Sequence, residues 1–188
     1  MKKNTLIIVF VFVFILYNSS IAENYDFKQF VWGDSQDKIL EVEGSPEEYG
    51  KLEGNPALYY DKLLAGMDTQ LAYAFNENGL YFAGYILNVK HTQGDKYISD
   101  YNTLKGALID KYGYPKYDIE SWDSDDNKEY YTKGDALIYG HLMYITRFFT
   151  DTTQITLWMD SDNFQVQTSL FYQSLNSLGN KYSFLDDL

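Results

Sequence analysis

Two histidines, His91 and His141, are the first residues that could do chemistry. A neutral imidazole can serve as a general base or a metal ligand near neutral pH. Either task needs a partner at a defined spacing. No Gly-x-Ser-x-Gly elbow supplies a nucleophile, and the two histidines lie far apart in the chain. The plainer reading, a turn or surface histidine, is the stronger one for each. There are no cysteines, so thiolate catalysis, iron–sulfur ligation and Cys-type zinc sites are excluded.

Acidic residues come next. Asp123-Ser124-Asp125-Asp126-Asn127 offers oxygen ligands at alternate positions, as calcium loops do. The sixth position is Lys128 rather than Gly, and the twelfth is Gly134 rather than Glu. That excludes an EF-hand and leaves a looser calcium site at Asp123–Asn127 open. Asp160-x-Asp162-Asn163 is explained by a hairpin turn. With 27 Asp and Glu in the chain, carboxylate pairs arise by chance, and spacing singles out none for glycoside hydrolysis. No nucleophile, metal or cofactor constellation is expected, so the chain reads as a non-enzyme without cofactors, with a hydrolase as the weakest alternative.

The aromatic residues carry more information. Nineteen Tyr, twelve Phe and three Trp give the chain ample ring surface to bury or present. Tyr, Trp and Arg are the types enriched at interface hot spots. Strand alternation places Tyr59, Tyr81, Tyr85, Arg147, Trp158 and Phe171 together on one sheet face. If uncovered, that face is a candidate binding surface. If the sheet curls or pairs with a second copy, the same rings stabilise the fold.

The elements that must position these rings repeat along the chain. Thr69-Gln70-Leu71 recurs as Thr153-Gln154-Ile155, and the match continues without a gap from Tyr73 and Leu157 to Ile86 and Leu170. Leu40-x-x-x-Gly44-x-Pro46 is echoed by Ile109-x-x-x-Gly113-x-Pro115. A helix is predicted over 36–43, capped by Asp34 or Ser35 and ended by Gly44. A loop over 47–57 precedes strands at 58–64, 69–76 and 80–89, with a tight turn at Glu77-Asn78-Gly79. A second helix is predicted over 95–111, with Tyr101, Leu104 and Leu108 on its apolar face. Residues 116–134 read as an acidic insertion, and 135–141 as either a helical turn or the start of a strand. Three more strands follow at about 142–149, 153–160 and 164–173, and the tail from Ser174 is expected at the surface.

These elements give an α+β fold: two tandem helix–three-strand units forming one antiparallel sheet, with helices packed on one face. Leu71, Tyr73, Phe75, Ile155, Leu157 and Met159 are expected beneath the helices, and Ala72, Ala74, Thr156 and Trp158 on the far side. Repeat one spans about 30–90 and repeat two about 95–173, within one domain over 23–188.

The N-terminus predicts a signal peptide over 1–22. Lys2 and Lys3 precede an apolar run from Leu6, and Ser19-Ser20-Ile21-Ala22 supplies small residues for cleavage near Ala22. The expected localisation is therefore secreted, periplasmic or otherwise extracytoplasmic. Cleavage leaves 13 basic and 27 acidic residues, a net charge of −14. Such a body repels phosphate backbones and anionic lipid, so no nucleic-acid partner and no stable membrane insertion after cleavage are expected.

Gly33-Asp34-Ser35-x-x-x-Ile39-x-x-x-x-Gly44-x-Pro46 resembles the helix signature of the small outer-membrane assembly lipoproteins of the SmpA/OmlA type. The tandem arrangement over about 30–173 resembles the β-lactamase inhibitory protein fold, in which two units join their sheets as one concave surface. The Trp-Gly start and Tyr-rich strands are also similar to a group of secreted bacterial proteins. The chain lacks the lipobox Cys of the assembly lipoproteins. The resemblance implies a non-catalytic binding module. The expected function is a secreted protein that engages a protein partner through the aromatic face, with a glycan or small-ligand module of the cell envelope as the alternative.

Overall fold

The structure, a computed structural model, describes residues 25–178. The expected leader at 1–22 lies outside the described residues, as does the tail beyond 178. The elements run α1 (Gln36–Glu43), β1 (Glu48–Leu52), β2 (Asn55–Leu64), β3 (Met67–Asn76), β4 (Gly79–Leu87) and α2 (Gly94–Tyr112). Then follow β5 (Tyr117–Trp122), α3 (Asp125–Tyr130), α4 (Lys133–Ile138), β6 (Leu142–Phe149), β7 (Thr153–Asp162) and β8 (Gln165–Ser174). All eight strands form one antiparallel sheet in the order β1-β2-β3-β4-β8-β7-β6-β5. The class is α+β.

Local chemistry sets the helix boundaries. The Ser35 hydroxyl accepts from the Lys38 N–H, and Gly44 ends α1 at a φ of 85° with its N–H returned to the Leu40 carbonyl. Gly113 ends α2 in the same way, at a φ of 79° and bonded to Ile109. In both places the chain passes a proline and enters a strand. Those strands, β1 and β5, are the two edges of the sheet.

Neither edge strand is predicted by the sequence, and the reasons differ. β1 lies inside the expected loop because it is exposed or half-buried along its length and shows no apolar alternation. Backbone pairing to β2 holds it, as suits a polar edge. β5 lies inside the expected acidic insertion. Its acids are the polar phase of a real alternation: Asp118 accepts from Thr146 and pairs with Lys105, and Glu120 pairs with Lys133. The rest of the insertion forms α3, capped by Ser124, and α4, capped by Thr132. The open segment 135–141 is thus the end of a helix and a turn. The sheet therefore has eight strands where six are expected from the sequence.

One face of the sheet carries the core. Ile39 of α1, Tyr101, Leu104 and Leu108 of α2, and Leu137 of α4 pack with Leu71, Tyr73 and Phe75 of β3. Ile155, Leu157 and Met159 of β7 belong to the same cluster. The helix α2 meets α4 at two glycines. A Cβ added to Gly94 would lie 2.0 Å from the Gly134 carbonyl oxygen, so only hydrogen fits there.

The segment before α1 also enters the core. Phe27 and Phe30 are bridged to each other and fully buried. Phe27 sits 5.7 Å from the Tyr73 ring and 4.9 Å from that of Tyr172. Trp32 Nε1 donates to the Thr153 hydroxyl at 2.9 Å, while Asp26 accepts from the Trp32 N–H and the Thr152 hydroxyl. Nearby, the Glu43 carboxylate accepts from Lys28, from Lys62 at 3.0 Å and from the Tyr73 hydroxyl at 2.6 Å. Burial acts to raise the Glu43 carboxyl. The bonds from Lys28, Tyr73 and Lys62 outweigh it and hold the group at about 2.

Candidate functional site

The other face of the sheet is a groove. One cavity of about 600 Å³ is lined by Leu52 of β1, Phe82 of β4, Ile119 of β5, Ile145 and Arg147 of β6, Trp158 of β7 and Phe171 of β8. An adjoining cavity of about 470 Å³ extends past Tyr59, Ala72, Gly84 and Ile86. In a flat sheet of eight strands the outer two lie about 33 Å apart, seven intervals of ~4.8 Å. Here residues of both edges line a single cavity, so the sheet is strongly curled and concave on this side. Among the described residues, no helical residue lines either cavity.

Strand register explains the floor. Ala72, Gly84, Phe171, Thr156 and Arg147 are successive cross-strand neighbours from β3 to β6. The small residues Ala72 and Gly84 deepen one end. A Cβ on Gly84 would meet the Phe171 Cβ at 2.8 Å. Phe82 and Phe171 stack at 5.8 Å with an interplanar angle of 27°, forming the ridge between the two cavities. Trp158 stands beside that ridge and is 41 % exposed. Amides and hydroxyls of Gln154, Gln173, Gln70, Ser121 and Ser169 fill the gaps between rings.

All six residues named from the sequence border the two cavities, Tyr85 only the smaller one, but the rings and guanidinium of five belong to this face: Tyr59, Tyr81, Arg147, Trp158 and Phe171. The Tyr59 hydroxyl donates to the Lys51 carbonyl, and its phenol is raised by burial and by the nearby Glu48 charge. The Tyr81 hydroxyl accepts from the Asn55 amide at 3.2 Å.

Tyr85 is a correction. It pairs with Leu71 and Leu170, packs against the core and lies 5.8 Å from the Phe27 ring, on the helix side. Burial, with a smaller contribution from Glu43, pushes its phenol up to about 12. A β-bulge is the cause. Ala74 pairs with Phe82 but Phe75 with Leu80, leaving Tyr81 as the extra residue. The strand changes phase there, so Tyr81 and Phe82 both reach the groove while Tyr85 falls on the other side.

Sequence reasoning missed Phe82, Leu52, Ile119, Met143 and Ile145. The bulge hid Phe82, and the unexpected edge strands hid Leu52 and Ile119. The alternation Met143, Ile145, Arg147 was readable once Arg147 had been placed.

The other candidates lie apart from the groove. His91 Nε2 pairs with Asp100 at 2.7 Å, and the ring packs edge-on against Tyr97. His141 Nδ1 pairs with Asp123 at 2.8 Å and stacks on Tyr131. Asp123 also accepts from the Asn127 amide, and its carboxyl is lowered chiefly by that bond and then by His141. Ser124 is committed to capping α3. No three His, Asp or Glu side chains converge on a metal position among the described residues. Asp160 is raised by burial and by its neighbour Asp162. No helix among the described residues is long and apolar enough to cross a membrane. Comparison with protein-family models, with curated proteins and with solved structures found no match.

Proposed function

We propose that this chain is a non-enzymatic binding protein, exported after loss of residues 1–22, that receives a projecting segment of a protein partner in its groove. The supporting observation is the single concave cavity lined from both sheet edges, with the half-exposed Trp158 beside the Phe82–Phe171 stack. Desolvated aromatic pockets at the centre of a concave surface are where binding energy concentrates. We also infer that the sheet is two copies of a helix–four-strand unit. The strand order mirrored about the β4–β8 pair and the Gly-x-Pro passage from each helix to an edge strand support this.

Affinity capture from the native secretome and envelope tests the groove. The wild-type protein retains a discrete partner, and Trp158→Ala and Phe171→Ala lose it while keeping a native circular-dichroism spectrum. Equal retention by all three proteins refutes the proposal.

A glycan is the second reading. Gln70, Gln154, Gln173 and Ser169 set amides and a hydroxyl beside Trp158 and Phe171, a lining that can bond sugar hydroxyls while rings meet sugar faces. Saturable, Trp158-dependent binding on a glycan array, with no protein captured, selects this reading.

A further inference from the structure

A second surface is built from rings that do not line the groove. Tyr130, Tyr131, Tyr139 and Phe164 form a continuous row, with consecutive ring centroids 4.8, 5.4 and 5.8 Å apart. Three are markedly exposed: Tyr130 at 80 %, Phe164 at 70 % and Tyr139 at 51 %. Burial therefore does not explain them.

Backbone conformation does not explain Phe164 either. Asn163 and Phe164 join β7 to β8 as a two-residue turn with φ values of 48° and 62°. Such turns need a left-handed residue at both positions. Asn adopts it readily, whereas the second position favours Gly and a bulky ring there is strained. A large apolar residue is thus held open to solvent where glycine would be more stable. Strain of this kind concentrates at binding sites.

The surroundings are acidic. Asp125, Asp126 and Glu129 of α3 and Asp135 of α4 are exposed, and Asp162 adjoins the turn. Lys133 is engaged by Glu120; the opposing basic groups are Lys128 on α3 and Lys90, which shares a neighbouring cavity with Phe164, while His141 packs on Tyr131 and Tyr139 and is paired with Asp123. Rings flanked by carboxylates attract cations through both the ring faces and the net charge. Successive ring planes are turned by 79°, 56° and 85°. They share no common plane on which a sugar chain could lie, but offer separate faces to separate planar cations.

We propose that this row docks an extended, arginine-rich segment of a protein partner. The guanidinium groups stack on the Tyr130, Tyr139 and Phe164 faces, and the α3 and α4 carboxylates neutralise them. The site is independent of the groove.

Fluorescence anisotropy of labelled octa-arginine against the purified protein, at about 0.15 M salt, tests it. Phe164→Gly and Tyr139→Ala leave the net charge unchanged. Each weakens binding about threefold and the pair about tenfold, while Phe164→Gly keeps or raises the Tm and Trp158→Ala binds as wild type. Unchanged affinity in both ring variants overturns the proposal, because acidity alone then accounts for binding. Loss of binding in Trp158→Ala instead assigns the peptide to the groove. A soluble β-glucan that binds through the row while octa-arginine does not would make the row a sugar platform and overturn the proposal too.

Discussion

At the scale of single residues, the groove separates binding from stability. Trp158 is 41 % exposed, so truncating it removes less buried area than removing a core ring. Trp158→Ala is expected to lower unfolding free energy by about 1–2 kcal/mol in urea titration, below the ~3–5 kcal/mol of a buried ring, whatever it does to binding. Gly84 behaves oppositely. Its added Cβ meets Phe171 at 2.8 Å, so Gly84→Val must displace a strand neighbour and should destabilise by about 1–3 kcal/mol. A Gly84→Val protein as stable as wild type would show that the floor yields more than its register suggests. Glu43 is the third test. It is 6 % exposed and satisfied by two lysines and a phenol, so Glu43→Gln leaves Lys28 and Lys62 facing each other without their anion. A loss of about 2–4 kcal/mol is expected in the same titration.

At the scale of elements, the glycine contact between α2 and α4 should be the least tolerant of side chains. Gly134→Ala places a Cβ 2.7 Å from the Asp95 carboxylate and 2.9 Å from its backbone nitrogen. A fall in Tm of several degrees is expected by calorimetry, with α4 displaced from α2. The elements also show what could be read from sequence. Helices α1 and α2 were legible because Ser35, Gly44 and Gly113 are caps whose chemistry is local, whereas α3 and α4, six residues each, are too short to show a period. The central strands were legible because Leu71-Tyr73-Phe75 and Ile155-Leu157-Met159 alternate over a buried face. Edge strand β1 was not, since it is held by backbone bonds that any side chain permits. The candidate surface was legible to the same extent. Alternation placed Tyr59, Arg147, Trp158 and Phe171, and failed at Tyr85, where one bulged residue upstream reversed the phase. A bulge depends on pairing with a partner strand, so a period counted along one strand cannot contain it.

At the scale of the molecule, acid should weaken the fold through Glu43. Its carboxyl is held at about 2 against an ordinary 4.5, so the unfolded chain binds the extra proton between those values. The contribution, about 3 kcal/mol, is complete above pH ~4.5 and is lost as pH falls through about 2. The Tm of the wild type should drop from pH 6 to pH 3 more steeply than that of Glu43→Gln. Parallel curves for the two proteins would place the acid sensitivity elsewhere. The curl of the sheet works at this scale as well, since β1 and β5 are distant in strand order yet line one cavity.

The way Phe27 meets Tyr172, and Trp32 meets Thr153, bears on how the chain comes to fold. The first described residues divide their seats between β3 and β4 and the last two strands. A nascent polypeptide halted before β8 lacks the Tyr172 part of the Phe27 seat. Native closure therefore waits for nearly complete synthesis, leaving an open, threadable chain until then.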